Sequence, residues 1–121
     1  MAMKRLLLTG VAALLLSTGT AHAASFKANK WANFCTSKSE REVGMCAFYA
    51  LGLLDGLILW KVNSTDPISI CVPEEPEKRP NAKQIIDVGL AYIQKNPESN
   101  YRPIAAVLRE AFEEKWPCIG M

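Results

Sequence analysis

The run MCAFYALGLLDGLILW, residues 45–60, carries a single charge, Asp55, in an otherwise uncharged and mostly apolar stretch. Wound as a helix at about 100° per residue, it places Cys46, Tyr49, Ala50, Leu53, Leu57 and Trp60 on one side. Phe48, Leu51, Ile58 and Leu59 flank Asp55 on another, and Met45, Gly52 and Gly56 fill a third sector. A helix that is apolar nearly all round either crosses a membrane or is buried on most sides. The run is shorter than the about twenty residues of a span, and a carboxylate at mid-bilayer costs about 3 kcal/mol or more. The expectation is a helix at the centre of a globular domain. Gly52 and Gly56 each cost a helix about 1 kcal/mol relative to alanine, and close approach of a neighbouring backbone is the expected compensation. Asp55 reads as a structural carboxylate, held by the amino end of another helix or by Arg102 or Arg109. Its helical neighbours Leu51, Gly52, Ile58 and Leu59 supply no second polar group for acid catalysis.

The first 23 residues are a separate object. Lys4 and Arg5 precede an apolar core, Leu6–Leu16, and Ala21-His22-Ala23 provides the small-x-small pattern of a cleavage site. This is the layout of a secretory signal, so residues 1–23 are expected to be removed and 24–121 to form one domain. Residue 24 is alanine, not the cysteine of a lipoprotein. The net charge of +2 belongs entirely to Lys4 and Arg5, which leaves the remaining basic residues equal in number to the 12 acidic ones. A neutral domain without basic clustering gives no footing for nucleic acid or an anionic membrane. His22, the only histidine, leaves with the signal. Ser-His-Asp and Cys-His catalysis and histidine-ligated zinc are thereby excluded. No cofactor motif is present, and a binding protein rather than an enzyme is expected.

Cys35, Cys46, Cys71 and Cys118 form an even set in a small exported domain, which reads as two disulfides. A four-thiolate zinc site lacks its short paired spacings. Four helical segments can be placed, and no period-two strand. The first covers about residues 27–34. Ser39 and Glu42 form a capping-box pair opening the second, which ends near Lys61. Residues 62–80 hold four of the seven prolines and read as a loop. Asn81 and Gln84 cap a third helix, whose Ile85, Val88, Gly89 and Tyr92 share one side. Asn96-Pro97 stops it. Ser99 or Asn100 is the expected cap of the fourth, whose stripe is Ile104, Val107, Leu108, Ala111 and Phe112. The fold class is all-α, a small disulfide-linked bundle of four to five helices around the central apolar one. A short link makes the third and fourth helices antiparallel. Cys71 then falls near Cys118, leaving Cys35 for Cys46, among three connectivities that four cysteines allow. Three short helices leave part of the apolar helix for a second subunit, so a homodimer is also expected.

The pattern C-x-x-Y-x-x-G-x-x-D-G at Cys46–Gly56, then C-V-P at Cys71–Pro73, then AYIQKNPESNYRPIAAVLREAFEEKWPC, spans nearly the whole mature chain. Its order and spacing resemble the Rap/Tai immunity family of type VI secretion. The resemblance implies a helical, disulfide-bonded, often dimeric periplasmic protein that occludes the catalytic cleft of a peptidoglycan amidase effector. The family's Tyr49, Gly52, Asp55 and Gly56 carry over as scaffold. The segment Glu74–Pro80 is longer than the family pattern.

An occluding inhibitor needs exposed, pre-ordered contacts, because disulfides flanking a loop lower the cost of ordering it. Asp66, Glu74, Glu75, Glu77, Lys78 and Arg79 are the candidate partner contacts. A periplasmic acid-stress chaperone is the competing reading: at low pH the 12 acidic groups would protonate and leave a strongly positive chain. A family member with some other binding role is a further alternative. A carboxylate-only hydrolase would need Asp55 and Asp87 together, and nothing in the sequence brings them together.

Overall fold

The computed structural model describes residues 26–63 and 68–119. Helix α1 is Ala28–Cys35, α2 is Glu40–Asn63, α3 is Ala82–Lys95 and α4 is Ile104–Lys115, with a 3-10 helix, Pro97–Tyr101, between the last two. The all-α, disulfide-linked class is the one expected. Residues 1–23, the expected signal sequence, and Asp66 lie outside the described residues.

Helices α2 and α3 begin for local reasons. The first amides of a helix have no partner within it. At α3 the Asn81 side chain accepts from the Gln84 amide at 2.9 Å, and the Gln84 side chain accepts from the Asn81 amide at 2.8 Å. At α2 only half of that exchange forms: Ser39 Oγ accepts from the Glu42 amide at 3.4 Å, while the Ser39 amide donates to Ser37 Oγ at 3.1 Å.

The start of α4 differs from the expectation. Ser99 and Asn100 do not cap it. Ser99 Oγ donates to the Asn96 carbonyl at 2.6 Å, and Asn100 Nδ2 to the Pro97 carbonyl at 2.9 Å, both inside the 3-10 turn. Pro103 explains the delay. It drives Arg102 into extended backbone, φ −89° and ψ 157°, so no helix can run through from Ser99. The Ile104 amide instead donates to the Phe26 carbonyl at 2.8 Å, and the Ala28 amide to the Arg102 carbonyl at 3.0 Å. The segment before α1 thus supplies the missing cap.

The core lies between α1, α3, α4 and one edge of α2. The expected α4 stripe is buried in full. Trp31 is 1% exposed, and its indole N–H donates to the Cys46 carbonyl at 3.3 Å. A Cβ on Gly89 would lie 2.6 Å from Leu108 Cδ2 and 2.7 Å from Trp31 Cη2. Gly89 is therefore the glycine that permits close approach. Gly52 and Gly56, expected in that role, have nothing within 4 Å of an added Cβ and are exposed.

Cys35 joins Cys46 and Cys71 joins Cys118, as the helix packing predicted. Sequence separations of 11 and 47 correspond to about 3 and about 4 kcal/mol of loop-closure entropy.

Candidate functional site

Helix α2 meets all three other helices, but along a single stripe of Cys46, Ala50 and Leu54. It is not sheathed at the centre of the bundle. Met45, Phe48, Gly52, Asp55, Gly56, Leu59 and Trp60 fall within one outward sector, and all are exposed, Phe48 to 79%. That α1, α3 and α4 are too few to cover the apolar helix is as expected, but periodicity did not reveal which sector they leave open. The 24-residue helix is also longer than its apolar run, and Glu40–Lys61 is long and apolar enough to cross a membrane. The length argument against a span therefore fails. The carboxylate argument stands, because Asp55 sits in the middle of the outward face.

Asp55 is not a buried, paired group. It is exposed, and its carboxylate makes no hydrogen bond or ion pair to any described residue. Both of its proposed arginines are engaged elsewhere. Arg109 Nε donates to Glu113 at 3.1 Å. Arg102 grips Glu110 with two prongs, at 2.8 and 2.6 Å. The Tyr92 hydroxyl adds a third bond to Glu110 at 2.9 Å. The hydrogen bond from Arg102, with a smaller contribution from Tyr92, holds the Glu110 carboxyl below the usual range. Burial, then the Glu110 carboxylate, raises the Tyr92 phenol. Tyr49 is half-buried against Phe26 in an edge-on ring contact, and burial raises its phenol.

A groove of about 1250 Å3 runs between α2 and the loop after Ile68. Leu51, Leu54 and Ile58 form its α2 wall and Ile70, Val72 and Ile85 the opposite side. Asp55, Glu74, Glu75 and Arg79 stand around it. The loop is ordered by its own chemistry. Arg79 donates from Nη2 to the Glu74 carbonyl at 2.9 Å, and the Lys78 and Arg79 amides both reach the Glu75 carbonyl at 2.9 Å. The Cys71 amide donates to the Trp116 carbonyl at 2.7 Å, beside the disulfide. Lys61 reaches in from α2 to the Ile70 carbonyl at 3.0 Å.

Of the expected contact residues, the structure brings Glu74, Glu75 and Arg79 together, with Asp55 as an unforeseen neighbour. Lys78 pairs with Glu75 at 3.8 Å and lines a second groove of about 590 Å3, between α3 and α4. Glu77 lines neither. Asp87 lines the second groove and pairs with Lys83 at 2.9 Å, so it does not join Asp55 in one depression. Among the described residues no three metal-ligating side chains gather. Lys61 was missed, as were Met45, Phe48, Leu59 and Trp60 as surface residues, while Gly52, Asp55 and Gly56 were expected as scaffold and lie on the outward face. Helical spacing groups the outward residues of α2, but which sector stays open depends on tertiary packing.

A disulfide-stapled helical domain with an ordered, acidic-rimmed loop beside an uncovered apolar helix is built to meet other proteins. The family model for Rap1a immunity proteins matches residues 27–118, and the chain belongs to that family. It is accordingly an immunity protein directed at a secreted effector. Comparison with curated proteins and with solved structures gave no match.

Proposed function

We propose that the mature chain acts in the periplasm, binding a type VI-secreted peptidoglycan amidase and occluding its catalytic cleft without chemistry of its own. Support comes from the family match over residues 27–118 and from one feature of the surface: the loop after Cys71 is tethered by a disulfide yet leaves Glu74, Glu75 and Glu77 exposed. Tethering cuts the ordering cost of a protruding inhibitor element, and a clustered negative rim steers a basic surface into register. The test is co-purification with a secreted amidase encoded beside it, followed by a hydrolysis assay on peptidoglycan. Stoichiometric loss of hydrolysis supports the reading. An amidase that stays free and active removes it.

The outward face of α2 favours a second copy of this chain as its cover. Met45, Phe48, Leu59 and Trp60 surround two adjacent glycines with open space above them. A glycine pair that costs the isolated helix about 2 kcal/mol is compensated when another backbone packs onto it. Sedimentation across a range of concentrations tests this, and a monomer throughout removes it.

A further inference from the structure

The ammonium of Lys61 sits on the Cys71–Cys118 disulfide, with Nζ 2.9 Å from Cys71 Sγ and 3.1 Å from Cys118 Sγ. An intact disulfide is neutral and gains little from a cation. A thiolate gains a great deal, since a neighbouring lysine lowers a thiol pKa well below about 8.5. We propose that Cys71–Cys118 is a thiol–disulfide exchange site, opened selectively by a dithiol reductant, and that Lys61 stabilises the thiolate that departs.

The two disulfides of the chain are unequal in this respect. Cys46 is fully buried, with its carbonyl held by Trp31, so only the half-buried Cys35 offers that bond to attack, and the thiolate departing from Cys46 would be left in the core. Cys71 and Cys118 are both half-buried, and Ile119, next in the chain, is 84% exposed. Exchange rate depends on access to the attacked sulfur and rises as the pKa of the leaving thiol falls. Each bond offers a half-buried sulfur to attack, and the leaving group decides between them: beside the Lys61 ammonium at Cys71–Cys118, in the apolar core at Cys46.

The step balances. A reductant thiolate attacks Cys118 Sγ, forming a mixed disulfide, while the Cys71–Cys118 bond breaks and its electron pair leaves on Cys71 Sγ beside the Lys61 ammonium. The second thiol of the reductant, as thiolate, then attacks the reductant's own sulfur in the mixed disulfide and expels the Cys118 thiolate. The reductant is oxidised to its disulfide and the protein is reduced by two electrons. The two protons lost by the reductant's thiols end on Cys71 and Cys118. Opening frees the loop from its tether to the end of α4. A weaker grip on the effector is the consequence, and only that consequence rests on the proposed function; the exchange itself needs no effector.

The experiment treats the full-length mature protein with graded dithiothreitol at neutral pH, without denaturant. Samples are quenched in acid, alkylated with N-ethylmaleimide and mapped by peptide mass. Cys71 and Cys118 should be labelled at dithiol exposures about tenfold below those that label Cys35 and Cys46. Lys61→Gln should slow their opening about three- to tenfold, and Lys61→Arg, which keeps the cation, should restore most of the rate. Circular dichroism checks that each variant is folded, and the comparison of the two bonds in the wild type needs no variant. Simultaneous opening, earlier opening of Cys35–Cys46, or a Lys61→Gln rate equal to or above wild type overturns the proposal. So does a Lys61→Arg protein as slow as Lys61→Gln.

Discussion

Trp31 and Gly89 meet with no room for a further carbon between them. The indole edge would lie 2.7 Å from a Cβ at position 89, and Leu108 would crowd it from the other side at 2.6 Å. Trp31 is held by its bond to the Cys46 carbonyl, and Leu108 is fully buried. Gly89→Ala would gain about 1 kcal/mol in helix propensity but incurs an overpacking cost of about 1 to 3 kcal/mol. With both neighbours fixed, the cost should prevail, and stability should fall by about 1 kcal/mol or more. Urea unfolding should show a lower midpoint at an unchanged slope. An unchanged or higher midpoint would show that Trp31 can swing away.

Glu110 ties the 3-10 turn and α3 to α4, through Arg102 and Tyr92. Its folded pKa is depressed, first by the Arg102 hydrogen bond. The sign of the linkage follows. The contribution is complete above the ordinary glutamate pKa of about 4.3, and it is lost as pH falls through the lower folded value. Both side chains are about 40% exposed, so solvent screens the pair and its contribution is modest. Glu110→Gln should therefore be less stable than wild type at neutral pH, with the gap closing below the carboxylate range. A gap of constant size across an acid titration of unfolding would assign the loss to packing instead.

These contacts also show where sequence reading stops. The Asn81–Gln84 box, the α4 stripe and the disulfide pairing all depend on local spacing or on one short link between helices. Each was legible for that reason. Asp55 was not, because periodicity reports which faces are apolar and says nothing of which are covered. The expected partners Arg102 and Arg109 had nearer acids, eight and four residues along the chain. The end-capping of α4 by Phe26 joins segments far apart in sequence, and no local signal announces it. At the loop, charge and proline content marked Glu74, Glu75 and Arg79 correctly as exposed. Their convergence with Asp55 required the tertiary arrangement of α2.

The exposed glycines of α2 behave oppositely to Gly89. No neighbour opposes a side chain at Gly52 or Gly56, so Ala at either should stabilise the isolated chain by about 1 kcal/mol. The same changes fill the space a second helix would use. Thermal unfolding of the dilute Gly52→Ala, Gly56→Ala protein should rise, while sedimentation should show the proposed self-association weakened by about tenfold, equivalent to about 1.4 kcal/mol. Phe48→Glu should abolish association by placing a charge in the same interface. Tighter association in the glycine variant would place the contact on another surface.

Glu74 and Glu75 are exposed and line the α2 groove, and neither holds the loop through its carboxylate except by the long 3.8 Å contact to Lys78. Exposed pairs of that kind contribute about 1 kcal/mol or less. Replacing both with lysine should leave unfolding within about 0.5 kcal/mol of wild type. Binding to the amidase of the proposed function should respond far more strongly. Reversing a clustered rim charge slows association and changes its salt dependence, and affinity should fall about tenfold or more, equivalent to about 1.4 kcal/mol. Surface plasmon resonance at two ionic strengths separates the rates. For the wild type, added salt should slow association, and in the double variant that slowing should disappear or reverse. Wild-type kinetics in the double variant would move the contact away from this loop. The outward face of α2 would then be the next surface to probe, with Phe48→Glu serving for both questions.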